Sequence, residues 1–535
     1  MDSSGAELPA NISAFAEAAR AVLGAAYVDF SPATVAGLAS STAPWTIAPA
    51  GVVRPADTAQ VAEVLRQAAR HGVALSTIST GKNWGYGDRM PATAGQVVLD
   101  LGRMNRIIEV NEELAYAVVE PGVTQGQLFQ YLQERGLKLW MDCTGAGPDA
   151  GIIGNVMERG FGHTPLGDRF RAVSGLEVVL ADGTVFHTGF SALSGAQVGH
   201  LYPYGLGPVL DGLFSQSNLG VVTRMGIWLM PTPPAFAAAV AFIDEEDALG
   251  PVMDRLRPLR LDGTLPSVVH VGNDLRMASG QMGFPGAGTH LTPSERQELR
   301  RRLKLSPWAL SAGLYGSRRQ VAAAASRLKT TLKGLPVRIK VVPDRLLAVG
   351  QQVAAGLGRV GMGAGLQRLM ADASAAVGLL KGVPTRHFLK GAYWRHQGQA
   401  SGHDPAADGC GLLWFAPVAP HRGSDICRAA DLISREMTAH GFDPLMTISM
   451  LNGRAAALVT TIAFDATDSN AKSQAQECHQ ALWSTLVAAG YPPYRAAGGD
   501  VHGLKTAQAS YWQTVQKLKS ALDPSGILAP GRYGS

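Results

Sequence analysis

Ser79-Thr80-Gly81-Lys82-Asn83-Trp84-Gly85-Tyr86-Gly87 is the stretch on which the reading of this 535-residue chain turns. It follows directly on Val73–Thr80, a run rich in β-branched and apolar residues that reads as a short strand. Glycines at 81, 85 and 87 stop that strand. Such a turn lines up successive backbone N–H groups, and Ser79, Thr80 and Asn83 add side-chain donors, so a pyrophosphate fits it. The spacing is neither a Walker loop nor G-x-G-x-x-G. Taken alone, the stretch reads equally well as a plain glycine turn.

Working outward, Asp57 to Gly72 reads as a helix signed at both ends. Asp57 and Gln60 form a capping-box-like pair, Val61, Val64, Leu65, Ala68 and Ala69 repeat at helical spacing, and Gly72 is the stop. Val97–Asp100 and Ala115–Glu120 read as strands, the second ended by Pro121-Gly122, and Gln125–Arg135 as a helix. Leu176–Leu180 and Thr184–Thr188 flank Asp182-Gly183 as a hairpin. Pro231-Thr-Pro-Pro234 marks a boundary. Beyond it lies an α+β region, with helices over Val321–Lys333 and Asp425–His440 and strands over Leu412–Pro417 and Ala455–Phe464. The expected organisation is therefore a cofactor domain over 1–234, a cap or substrate domain over 235–490, and a return to the first domain over 491–535.

Composition narrows the function classes. Hydrophobic residues make up 46% and charged residues 17%, which suits a globular chain with a large core and excludes extensive disorder. The net charge of +5 is small for this length, and the densest basic cluster, Arg300-Arg-Arg302 with Lys304, reads as a solvated helix face rather than a nucleic-acid site. Cys143, Cys410, Cys427 and Cys478 lack CxxC spacing, so no metal site is expected. Their scatter suits reduced thiols and a cytoplasmic location. No basic-then-apolar leader opens the chain, and no apolar run of membrane-spanning length occurs.

Other glycine clusters, Gly151-Ile-Ile-Gly-Asn155 and Glu120-Pro-Gly-Val123, are weak signals singly. In order, they gain weight. Thr80-Gly-Lys-Asn-Trp-Gly-Tyr-Gly87, Glu120-Pro-Gly-Val-Thr124, Gly154-Asn-Val-Met-Glu-Arg-Gly160, Thr164-Pro-Leu-Gly-Asp168, Phe214-Ser-Gln-Ser-Asn-Leu-Gly-Val-Val-Thr223, Gly226-Ile-Trp-Leu-Met-Pro231, Asp523-Pro-Ser-Gly526 and Ala529-Pro-Gly-Arg532 follow one another. This succession resembles the vanillyl-alcohol oxidase/p-cresol methylhydroxylase flavoprotein family. The resemblance spans nearly the whole chain and is densest before Pro231 and after Tyr491.

The resemblance implies an α+β fold, with a two-lobed FAD-binding domain and an α+β cap. It implies FAD held by Ser79, Thr80, Gly81, Lys82, Asn83, Trp84, Gly85, Pro121, Gly122, Gly154, Asn155 and Arg532. It further implies a phenol bound as phenolate by Tyr86, Tyr494 and Arg495. The chemistry explains those residue types. A free phenol ionises near pH ~10. Hydride loss from the para carbon to flavin N5 gives a neutral quinone methide when the oxygen electrons push through the ring. A cation and two O–H donors favour the charged phenolate and lower that barrier. Reoxidation by oxygen or by an electron carrier such as a cytochrome, and a homodimer, are implied by the same resemblance.

Two departures stand out. The histidine that tethers flavin in the oxidase branch is Leu412 here, so the FAD is expected to be non-covalent. The aspartate some members keep between Trp140 and Gly154 falls near Gly145 or Ala146; Asp149 and His163 are the replacement candidates for acid/base work. Two other functions stay open: a hydroxy-acid dehydrogenase on the same fold, for which no HxxxH-type arrangement is found, and a flavin-binding scaffold without catalysis.

Overall fold

The structure, a computed structural model, describes residues 8–347, 349, 352, 364–497, 505 and 508–534. The helix Thr58–His71 forms where the pattern places it. Asp57 Oδ1 accepts from the Gln60 N–H at 2.8 Å, Gln60 Oε1 accepts from the Ala56 N–H at 2.8 Å, and Gly72 closes the helix at φ +61°. Its Val61, Val64 and Leu65 are fully buried. The helix links Gly51–Val53 to Leu75–Ile78, and both strands pair in parallel with Val97–Asp100 between them. The glycine turn at 79–87 leaves the carboxyl end of Leu75–Ile78, where open α/β sheets place their ligands.

The chain's end completes this sheet. The Leu75 N–H donates to Ile527 O and the Ala529 N–H to Leu75 O, each at 2.7 Å. Asp523 makes the return possible: it accepts from the Ile527 and Leu528 N–H groups at 3.0 and 2.8 Å, and from Lys519 Nζ at 2.7 Å. A second, antiparallel sheet of five strands follows, ordered Ile107–Asn111, Tyr116–Val119, Val221–Trp228, Val173–Val179, Val185–His187. It includes the predicted hairpin, whose Gly183 takes φ +80°.

The largest sheet is antiparallel, and its strands lie between Ala235 and Asp465. It runs Val337–Pro343, Ala235–Ile243, Trp308–Gly316, Val269–Asn273, Leu445–Met450, Ala455–Asp465, Cys410–Phe415. Residue alternation sorts its two faces. Leu413, Phe415, Ile462, Met446, Ile448, Val269, Val271 and Leu310 join one core with Leu256, Ile426, Ile433 and Leu482 from the covering helices. A Leu, Ile or Phe buried this fully stabilises by about 2 kcal/mol, so the apolar set decides which face takes the helices. The other face shows Leu412, Trp414, Thr461, Thr447, Ser449, His270 and Gly272, a mixed and largely polar set. The basic cluster at 300–304 is partly engaged: Arg300 and Arg296 both hold the buried Asp274.

Among the described residues no helix is long and apolar enough to cross a membrane.

Candidate active site

Backbone approach explains the glycines of the loops. A Cβ on Gly151 would sit 2.2 Å from Ser79 Oγ, and one on Gly122 would sit 2.4 Å from Gly102 O. Ser79 Oγ donates to Pro121 O, and the Gly151 N–H donates to Thr80 Oγ1 at 2.9 Å. Ser79, Thr80, Pro121, Gly122 and Gly154 are thus brought together. Among the described residues no acceptor takes the N–H groups of Gly81, Lys82, Asn83 and Trp84. Four consecutive free donors in a loop opened by Gly81 at φ +68° fit the pyrophosphate of FAD.

Several side chains of that loop are engaged elsewhere. Lys82 pairs with Asp404, which also accepts from Trp84 Nε1 at 3.1 Å, so these two pin the loop to the segment just before the strand Cys410–Phe415. Asn155 Oδ1 accepts from Arg169 at 2.6 Å. Gly85, at φ +75°, lies against the indole of Trp414: a Cβ there would be 2.0 Å from Cδ1. The Trp414 N–H donates to Gly85 O at 3.1 Å.

Tyr86, Tyr494 and Arg495 meet. The Arg495 guanidinium carbon stands 4.1 Å from the centre of the Tyr86 ring, and the Tyr86 and Tyr494 phenols lie close enough to perturb each other. Burial pushes the Tyr86 phenol well above its ordinary pKa, and neighbouring Tyr494 adds to this. Burial also raises Tyr494 against the pull of Arg495. Both are therefore neutral O–H donors near neutral pH. Burial alone would weaken the Arg495 cation, but Glu158 and the two tyrosines outweigh it and hold its pKa above the usual value.

Glu158 is the residue that the sequence reading passed over. It stands 3.4 Å from Arg495 Nε and also takes Arg532 and the Tyr533 hydroxyl. Burial opposes its charge, yet Arg532 and Arg495 hold its carboxyl below the ordinary value. Arg532 thus ties the C-terminal segment to the triad. Glu158 lies inside the quoted Gly154–Gly160 motif, so its position was legible and its role was not.

The two acid/base candidates separate. Asp149 lies half-exposed and pairs with Arg386 at 2.8 Å. The buried carboxylate of that loop is Asp142; it accepts from the N–H groups of His163 and Thr164 and from the Thr164 hydroxyl, and so shapes the turn at 162–164. His163 is half-buried, with its ring 4.2 Å from that of His270. Burial, then the neighbouring His270, depress its pKa well below the usual value; burial lowers His270 to about 4. Phe161 links this pair to the triad, 6.3 Å from His270 and 5.6 Å from Tyr494. Leu412 is 2% exposed and packs with Trp84, Leu389 and Ala392.

Comparison with known proteins agrees with this architecture. Residues 49–189 match the family model described as an FAD binding domain. The chain is 37% identical to 1'-carboxy-chondrochloren decarboxylase of Chondromyces crocatus over 527 residues, 96% of either chain. It is 32% identical to the 4-cresol dehydrogenase (hydroxylating) flavoprotein subunit of Pseudomonas putida, over 91% of this chain and 88% of that one. The solved 4-ethylphenol oxidase from Gulosibacter chungangensis, in its isoeugenol complex, superposes with a TM-score of 0.89 at 29% identity, covering 99% of this chain and 98% of the other. The fold and these relatives define an FAD-dependent oxidoreductase. The chain belongs to the vanillyl-alcohol oxidase/p-cresol methylhydroxylase flavoprotein family.

Proposed function

We propose that this flavoenzyme oxidises a para-substituted phenol at its benzylic carbon, through a quinone methide. One observation carries the reading: two arginines, the buried Arg495 and the half-buried Arg532, face one half-buried carboxylate, Glu158, beside two neutral phenol donors. That set has one positive charge in excess, which an oxyanion balances. Bringing a phenol from pKa ~10 to near neutrality takes about 4 kcal/mol, within reach of a buried cation and two hydrogen bonds. FAD, when bound, supplies the two-electron acceptor. Tyr86 and Tyr494 donate to the phenolate oxygen, Arg495 neutralises it, and His163, kept neutral by burial, is the available proton acceptor.

The cofactor is held without a covalent tether. Leu412, at the position of the family's histidine, offers only hydrocarbon, and the loops at 79–85, 121–122 and 151–154 supply the affinity. Residues 1–234 and 491–535 form the FAD domain and 235–490 the cap. The acceptor is oxygen or a carrier protein, since a named oxidase and a named dehydrogenase subunit both resemble the chain.

The test is anaerobic addition of 4-ethylphenol, or of lactate and glycolate, to the purified yellow protein. Bleaching by the phenol alone supports this reading. Bleaching by the hydroxy acids alone favours a hydroxy-acid dehydrogenase, and no bleaching a binding scaffold.

A second outcome on the same site is favoured by the 37% identity to a decarboxylase of a carboxy-bearing compound. Where the carbon beyond the benzylic one bears a carboxylate, oxidation leaves a quinone methide next to that group. The C–CO2 bond then breaks and its electron pair forms the side-chain alkene. The ring returns to phenolate and CO2 departs, with no further oxidant. Detection of 4-vinylphenol and CO2 from 3-(4-hydroxyphenyl)propanoate supports this outcome; an unsaturated product that keeps its carboxylate contradicts it.

A further inference from the structure

Arg276 is a cation that nothing described so far uses. It sits on the short helix Asp274–Ser279, just after the strand Val269–Asn273. Its side chain folds back over the polar face of the large sheet. Its Cγ is 3.8 Å from where a Cβ of Gly272 would be, and its guanidinium carbon is 5.9 Å from the ring centre of Trp414. A Cβ on Gly391 would fall 2.0 Å from Nη1, so that glycine keeps the space the guanidinium fills. The side chain is half-buried, and among the described residues no carboxylate pairs with it and no acceptor takes a hydrogen bond from it. The adjacent Asp274 is committed to Arg296 and Arg300. Burial lowers Arg276 to about 10, which leaves it charged at neutral pH.

A partly desolvated charge without a partner is unfavourable, and such groups persist where a ligand supplies the counter-charge. The location says which ligand. His270 lies two residues before Gly272 on the same face, about 7 Å along the strand. From His270 the aromatic contacts run through Phe161 to Tyr494. Trp414 joins the other side, with Gly85 next to Tyr86 at one edge of the indole and Arg276 over its ring. Thr461, directly opposite Trp414 in the sheet, has a buried Oγ1 with no hydrogen-bond partner. An aromatic-lined face therefore has a cation for a phenolate at one end and a second, unpaired cation at the other.

We infer that Arg276 is the receptor for a carboxylate on the para side chain, and that the substrate class is a 4-hydroxyphenyl-bearing carboxylic acid. The inference rests on the phenol reading above. It makes Arg276 a specificity residue, because a planar guanidinium holds a carboxylate through two parallel hydrogen bonds.

The test uses two ligands without a benzylic C–H, so that binding is measured without turnover. (4-Hydroxyphenoxy)acetate and 4-ethoxyphenol are titrated into the FAD-loaded enzyme, and the flavin absorbance change gives Kd. The wild type is expected to bind the acid at least ~10-fold more tightly than the neutral ether. Arg276→Met is expected to weaken the acid by about 100-fold, the scale for truncating one partner of a buried charge pair, and to erase the preference. Arg276→Lys should retain part of it. If the methionine variant does not fold, the wild-type preference and the lysine variant decide. A wild type that binds the ether as tightly as the acid overturns the inference while leaving the phenol reading intact; binding of neither ligand points to failure of the phenol reading itself. Weakened FAD binding in Arg276→Met, with the acid preference unchanged once the variant is reloaded with excess FAD, also overturns it and assigns the guanidinium to the cofactor.

Discussion

Arg495 shows how much one side chain is asked to do. It touches the Tyr86 ring, donates to Asn83 of the phosphate loop and pairs with Glu158. Arg495→Ala should retain FAD yet slow flavin reduction by ~100-fold or more, the usual cost of losing one preorganised charge-stabilising donor; anaerobic stopped-flow reduction reads it. Gly85 has little freedom, since both its φ and the Trp414 indole forbid a side chain. Gly85→Ala should displace the loop from the sheet and lower FAD occupancy, measured as the flavin-to-protein absorbance ratio after gel filtration. At this scale motif and chemistry coincide at Tyr86, Tyr494 and Arg495, which the structure brings together. Distance along a loop does not say which carboxylate the fold buries: that one is Asp142, while Asp149 pairs with Arg386. The sequence was silent at Arg276, whose meaning depends on a strand and an indole far away in sequence.

Elements were legible where their ends carry their own signals. Asp57 and Gly72 bracket a helix that the structure starts one residue after the first and ends one before the second. Asp57→Ala should cost about 1 kcal/mol of stability by loss of the cap, seen as a small drop in Tm with the flavin still bound. Strands of the cap were harder to interpret. Leu412 and Trp414 read as ordinary members of an apolar run, and only pairing with Ala463 and Thr461 shows that they face away from the core built on Leu413 and Phe415. The same strand carries the question of the tether. Acid precipitation should release all the yellow colour into the supernatant; flavin that stays with the pellet and fluoresces on a denaturing gel would show that a covalent bond exists.

Across the whole molecule, recurring motifs made the fold legible, and long-range closure was the part that was not. The return of Ile527–Ala529 to Leu75, and of Arg532 to Glu158, joins segments hundreds of residues apart. Buried histidines set the response to acid. Burial holds His270, His421 and His479 near about 4, below the ordinary 6.5. Each binds its proton more readily unfolded than folded, so its stabilisation is present above pH 6.5 and is lost as pH falls from there towards 4. His421, beside Arg257, makes the clean probe: His421→Gln should flatten the fall of Tm over that window, by up to about 3 kcal/mol for a shift of this size. The central claim remains that the buried cation and the two tyrosines act on a phenolate. Anaerobic flavin reduction by 4-ethylphenol against its O-methyl ether, 4-ethylanisole, tests it most directly, since the ether keeps the benzylic carbon and cannot ionise. The account predicts rapid bleaching by the phenol and slowing by orders of magnitude with the ether; equal rates for the two would contradict it.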